Sequence, residues 1–218
     1  MCIRDSIEAA SWANLACVSD GRMLVRGIRP ETLGNFLSYF REVGGGYRFV
    51  DASSIEFFRE RKLSAIDIKT DVYPGFSTDL QQPFAILLTQ AEGVSTIHET
   101  VYEQRLGYLE VLNLLGANCE VSTECPSHDK CRFDNKSYPH FAKITGSSQL
   151  TAVSHPIEVP DLRAGLCYLI AAAVAEGDSY LTNVEFIERG YGNLVPRLAA
   201  LNLRISNVVL EENLLIAK

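Results

Sequence analysis

A chain of 218 residues, 47% of them apolar and with no Pro-rich or Gln-rich tract, can bury a substantial core and is too hydrophobic to stay disordered. Its formal charge of −7, from 27 acidic and 20 basic residues, argues against a general nucleic-acid surface, although one local basic pocket survives such a balance. No apolar run approaches the roughly 18 residues that would span a bilayer, and MCIRDS has neither the basic nor the apolar region of a signal peptide, so the cytoplasm is the default and no membrane contact is expected.

In chain order the predicted elements fall into three copies of one unit of about 75 residues, near 5–68, 69–150 and 151–218. The first copy is the faintest: Asp5, Gly21 and Gly44 lie at nearly the offsets of Asp79, Gly93 and Gly116. In the second, Thr78 begins TDLQQPFAILLTQAEGVSTIHETVYEQRLGYLEVLNLLGANCEV; in the third, Pro160 begins PDLRAGLCYLIAAAVAEGDSYLTNVEFIERGYGNLVPRLAALNLRISNV. Ala-Glu-Gly at 91–93 returns at 175–177, and Glu92 precedes Arg105 by the same interval as Glu176 precedes Arg189.

Each copy decodes the same way. An Asp beside a helix start can accept a free backbone N–H, and an apolar run follows until the Gly of Ala-Glu-Gly supplies a left-handed stop. A short alternating strand (VSTIHE, DSYLTNVE) leads to a second helix, whose apolar face is Tyr108, Leu109, Leu112 and Leu115 in the second copy. Gly116-Ala-Asn then turns the chain into NCEV. The unit reads β-α-β-α-β with hairpin additions. The run LCYLIAAAVA has no polar face, so these first helices are expected inside, under an outer shell of sheet, in one pseudo-threefold α/β globule.

Six cysteines (Cys2, Cys17, Cys119, Cys125, Cys131, Cys167) are expected to be reduced, with Cys17, Cys119 and Cys167 packed as small hydrophobes. Cys125, His128 and Cys131 offer two soft ligands and one imidazole within seven residues, but a structural zinc site takes four and only distant His140 is available. The stretch therefore reads as a wet surface loop with dispensable cysteines and no metal. His98 lies on a predicted strand and reads as structural; His155 stands apart.

Chemistry is expected where the three first helices begin, because their free N–H groups and partial positive charge suit an anion. Arg163, in the first turn after Asp161, is placed to clamp a phosphate or carboxylate, or else is simply exposed. Arg105 and Arg189 have two open readings, ligand contact or ion pairs with the nearby Glu103 and Glu188. Asp79, after the turn-rich approach Tyr73-Pro-Gly-Phe-Ser-Thr, is either a helix cap or a carboxylate beside an anion pocket that takes a proton from a hydroxyl. No G-x-G-x-x-G, P-loop or G-x-S-x-G occurs, and no cofactor is expected.

The segments KTDVYPGFSTDLQQPF (69–84), AEGVSTIHETVYEQR (91–105), LLGANCEV (114–121), DLRAG (161–165), AEG (175–177) and IERGY (187–191) resemble the UDP-N-acetylglucosamine enolpyruvyl transferases of cell-wall synthesis. The resemblance covers almost the whole chain. The sister family acting on shikimate 3-phosphate carries a Glu-Ser-Asp-Arg-like segment where this chain has Tyr102-Glu-Gln-Arg105.

The resemblance implies an inside-out α/β barrel with buried helices and outer sheets, this chain being the C-terminal-half domain, inactive without its complementary domain. It implies transfer of the enolpyruvyl group of phosphoenolpyruvate to the sugar 3-hydroxyl. On that likeness Asp79 resembles the carboxylate that deprotonates the hydroxyl, and Val101 the residue whose backbone helps hold the nucleotide sugar. Arg163 and Arg189 resemble the pair facing phosphate and carboxylate, Arg105 a support of the closed site, and Asp5 a carboxylate near the join between domains.

Three departures stand out. Ser6 replaces the family's arginine, no segment resembles its general-acid loop, and the stretch from Ser122 to Thr151 is longer than usual, with Cys125 and Cys131 in the added part. Transfer to shikimate 3-phosphate, and a non-catalytic binding or assembly domain, remain as alternatives.

Overall fold

The computed structural model describes residues 6–125, 131–201, 205–209 and 213–217. Helix α1 (Ser6–Val18) is followed by β1 (Arg22–Arg26), α2 (Phe36–Val43), β2 (Gly45–Asp51) and β3 (Ser54–Arg59). Next come β4 (Asp67–Lys69), α3 (Gln81–Gln90), β5 (Val94–His98), α4 (Tyr108–Leu114), β6 (Asn118–Ser122) and β7 (Phe141–Thr145). The chain closes with β8 (Ile157–Glu158), α5 (Leu162–Val174), β9 (Ser179–Thr182), α6 (Glu185–Gly190), α7 (Leu194–Ala199), β10 (Ile205–Val209) and β11 (Asn213–Ala217).

Three sheets form, with strand orders β1-β3-β2, β4-β5-β7-β6 and β8-β9-β11-β10. In the second and third sheets the first pair is parallel, as a connection through α3 or α5 requires, and the remaining pairs are antiparallel. The expected inside-out barrel does not form among the described residues, because none of these three sheets closes. Each sheet ends on two strands paired along one side only, β1 and β2, β4 and β6, β8 and β10. About eight tilted strands complete the circumference of a small filled barrel, and sheets of three or four short strands fall well below that number.

Helices α1, α3 and α5 pack on one another at the centre. Every residue from Glu8 to Cys17, from Gln81 to Thr89 and from Ala164 to Ala172 is buried; the apolar circumference of α5 demands this in water, and α1 and α3 also take polar Glu8, Asn14, Gln81 and Gln82 inside. Aromatic rings tie the first third to the second: Phe36 stacks on Phe40 at 5.3 Å and meets Phe84 edge-on at 5.9 Å, and Phe84 meets Phe76 at 5.5 Å. Burial pushes the Cys17 and Cys119 thiols up to about 12 and Cys167 further the same way, so all three stay protonated and pack as small hydrophobes.

The glycine of Ala-Glu-Gly acts one step later than expected. Helices α3 and α5 end on the extended residues Ala91 and Ala175, and Gly93 and Gly177, with φ of 108° and 102°, turn the chain into the following strand. A left-handed cap of the expected kind occurs at Gly44, after α2. No helix among the described residues is long and apolar enough to cross a membrane.

Candidate functional site

Asp79 sits in a single 3-10 turn, Thr78–Leu80, that runs into α3. The cap of that turn is Ser77, whose Oγ accepts the Asp79 N–H at 3.3 Å, so the Asp79 side chain is not spent on the helix start. Two arginines hold it instead. Arg105 Nη2 donates to Asp79 Oδ1, and Arg163 Nε lies 2.7 Å from the same oxygen. Asp161 does cap its helix: Oδ1 accepts from the N–H groups of Arg163 and Ala164 at 2.7 and 3.0 Å. Its bonds fix the first turn of α5 and thereby the origin of the Arg163 side chain.

Arg105 comes from a short turn between β5 and α4, after Gln104 in left-handed conformation with φ of 53°. The Arg105 side chain is 11% exposed, against 48% for Arg163, so one guanidinium is fixed and the other borders solvent. Arg105 lies over the Tyr102 ring at 5.0 Å, and its buried Nε has no hydrogen-bond partner among the described residues. A cleft of about 670 Å³ is bounded by Gln82, Tyr102, Arg105, Tyr108, Asp161 and Arg163, among others. First-turn residues of two buried helices, α3 and α5, thus line one cleft. In α1 the corresponding Glu8 accepts a bond from Arg197 of α7 and another, at 3.1 Å, from Trp12 Nε1.

The other expected site residues are placed differently. Arg189 is exposed in the last turn of α6, with its guanidinium 5.8 Å from the centre of the Phe186 ring. Asp5 lies outside the described residues. The Val101 N–H donates to Glu99 Oε1 at 2.6 Å, and the Val101 carbonyl accepts from Arg132 Nη1 at 2.8 Å. Glu103 pairs with Arg132 at 3.3 Å, so the local Arg105–Glu103 alternative gives way to Asp79, 26 residues back.

One important residue gave no signal in the sequence. Glu99, the residue just after β5, is fully buried and accepts from five donors. Its Oε1 accepts from Thr70 Oγ1 at 2.9 Å and from the N–H groups of Val101 and Tyr102 at 2.6 and 2.9 Å. Its Oε2 accepts from Thr78 Oγ1 at 2.6 Å and from Gln81 Nε2. A single carboxylate therefore ties the loop leading to Arg105 to the turn that carries Asp79.

The reading of the cysteine loop as a plain wet segment is also revised. Strand β7 begins at Phe141, inside the stretch from Ser122 to Thr151, so the link from β6 runs from 123 to 140 and ends beside β5. His98, Cys125, Cys131 and His140 lie together there. His128 falls outside the described residues.

Residues 1–198 match the family described as EPSP synthase (3-phosphoshikimate 1-carboxyvinyltransferase). The chain is 48% identical over 210 residues to UDP-N-acetylglucosamine 1-carboxyvinyltransferase of Chlamydia pneumoniae, a match covering 95% of this chain and 45% of that protein. The protein of the same name from Protochlamydia amoebophila is 44% identical over 212 residues, covering 97% and 45%. The chain spans about half the length of the curated relatives it matches. Among solved structures, the enolpyruvyl transferase NikO from Streptomyces tendae superposes with a TM-score of 0.77 at 21% identity, over 99% of this chain and 45% of that one. EPSP synthase from Acinetobacter baumannii gives 0.66 at 15% identity. At such identities the likeness speaks for the fold alone.

Proposed function

Because the chain belongs to the EPSP synthase (3-phosphoshikimate 1-carboxyvinyltransferase) family, we propose that it provides one domain, the C-terminal half, of an enolpyruvyl transferase whose acceptor is UDP-N-acetylglucosamine. The observation that carries this reading is the Asp79 carboxylate, held beside a cleft of about 670 Å³ by Arg105 and Arg163. Identity of 48% to a relative named for that acceptor supports the choice of sugar.

In the proposed reaction the sugar 3-hydroxyl attacks C2 of phosphoenolpyruvate while the methylene carbon gains a proton. Loss of that added proton's counterpart from the methyl group and departure of phosphate then restore the double bond in the product. Asp79 takes the hydroxyl proton. Both arginine contacts fall on its Oδ1, which leaves Oδ2 to face the hydroxyl. Arg163 and Arg189 bind the phosphate and carboxylate, where cationic donors stabilise developing negative charge. Arg189 is exposed here and reaches substrate as the complementary domain closes over the cleft. Arg105 holds Asp79 in place, Val101 contributes backbone contacts to the nucleotide sugar, and Asp5 lies toward the join between domains. The general acid comes from the complementary half, which the segment near 5–68, with 69–150 and 151–218, meets as a single three-unit domain. The setting is the cytoplasm.

The family description names shikimate 3-phosphate chemistry, so the acceptor is the point to test. A ligand bound only by the folded state stabilises it by about 2.7 kcal/mol at a hundred times its dissociation constant. With the chain assembled on the complementary half of a relative, about doubling its size, UDP-N-acetylglucosamine is expected to raise the melting temperature by roughly 3 °C at that excess. Shikimate 3-phosphate is expected to leave it unchanged. A shift with shikimate 3-phosphate alone would reassign the acceptor.

A further inference from the structure

The geometry points to a structural zinc site in this domain, with Cys125, Cys131, His140 and His98 as its four ligands. Their ligand atoms all lie within 4.8 Å of one another. Cys125 Sγ is 3.1 Å from Cys131 Sγ and 3.2 Å from His140 Nε2, and both thiols are free. Zn–S bonds near 2.3 Å and Zn–N bonds near 2.0 Å set ligand atoms about 3.3–3.8 Å apart around a tetrahedron, so small adjustments admit the ion.

The surroundings prepare each ligand. His140 Nδ1 lies 3.1 Å from the Tyr138 carbonyl, which can only accept, so Nδ1 carries the proton and the Nε2 lone pair faces Cys125. His98 is 6% exposed, and its Nε2 has no hydrogen-bond partner among the described residues, an orphan that a metal would satisfy. The Phe133 N–H donates to Cys131 Sγ at 3.3 Å, a bond that orients the sulfur. Two thiolates and two imidazoles in a closed set of four suit zinc in a structural role, with no open position for catalysis.

The site fastens the inserted link to the functional loop. His98 ends β5, and Glu99 immediately follows it, with its N–H bonded to the His140 carbonyl at 2.7 Å. Arg132, next to Cys131, reaches the Val101 carbonyl and Glu103. Phe133 packs against Tyr138 and His140 at 5.6 and 5.8 Å and is buried beneath the link. Zinc would therefore hold the link down over residues 99–103.

The test is the metal content of the chain purified without chelator from zinc-supplemented cells. One zinc per chain is expected, lost entirely in Cys125→Ser, Cys131→Ser, His140→Gln and His98→Gln and kept in the exposed His155→Gln. Cobalt taken up in its place should give the intense visible bands of a tetrahedral ion and thiolate charge-transfer absorption in the near ultraviolet. Since a ligand variant can lose metal by failing to fold, the unmodified chain is also stripped with chelator. Its melting temperature should fall by more than about 5 °C and recover when zinc is restored. An unmodified chain that takes up neither zinc nor cobalt, a Cys125–Cys131 disulfide formed in place of the metal, or a His98→Gln chain that keeps its zinc would overturn the assignment.

Discussion

Replacing Asp79 by asparagine is expected to lower turnover roughly 10²–10⁴-fold, the normal loss for a general base, once a complementary half completes the enzyme. Asparagine keeps the shape and removes only the charge that draws a proton from a hydroxyl. The helix start is untouched, because Ser77 and not Asp79 accepts the free N–H there. Removing the carboxylate leaves Arg105 and Arg163 facing one another. Arg163 is 48% exposed, and the asparagine oxygen can still accept from Arg105, which is 11% exposed, so the stability cost should be about 1–2 kcal/mol. The check compares turnover and melting temperature for the Asp79→Asn and unmodified chains, each assembled with the same half from a relative. Unchanged turnover in an active assembly would move the base elsewhere.

Glu99→Ala is expected to cost about 3–5 kcal/mol, because buried donors left without an acceptor cost about 1–3 kcal/mol each before relaxation, and so to lower the melting temperature by about 6–20 °C. Alanine would strand two backbone N–H groups, two hydroxyls and an amide that now share one carboxylate. Glutamine separates hydrogen bonding from charge. Its oxygen can serve the Val101 and Tyr102 side, while its NH2 can donate to Thr78 Oγ1 or to Gln81 Oε1, which has no partner among the described residues and comes round if that amide flips. Glu99→Gln should therefore cost less than half as much as Glu99→Ala in thermal unfolding of the chain. Equal losses would mean that Glu99 acts through its charge and not its hydrogen bonds.

The parts legible in the sequence were those written in local pattern. The apolar circumference of LCYLIAAAVA announced a buried helix, and Asp161 announced its cap, because each depends on neighbours within a turn or two. The closed barrel that the family resemblance implies does not form among the described residues, because closure depends on how many strands share one ladder, a non-local quantity. The partner of Arg105 was ambiguous for the same reason: Glu103 stands two positions away in sequence, yet the chain folds Asp79 onto it from the start of α3. Glu99 looked like the last residue of an ordinary alternating strand, and the return of the 70–81 segment adds Thr70, Thr78 and Gln81 to its two local N–H donors. The Cys125 and Cys131 pair was visible, but its two imidazoles arrive from the far end of a long link and from a different strand, which no ligand spacing reveals.

The most direct measurement is phosphate release from phosphoenolpyruvate by the chain, alone and joined to the complementary half of a UDP-N-acetylglucosamine 1-carboxyvinyltransferase such as that of Chlamydia pneumoniae. The expected result is release only from the joined halves and only when UDP-N-acetylglucosamine is present, with none from either half alone. Release that depends on shikimate 3-phosphate, or no release from a joined pair in which both halves are folded, would contradict the proposal that this chain is the Asp79-bearing domain of an amino-sugar enolpyruvyl transferase.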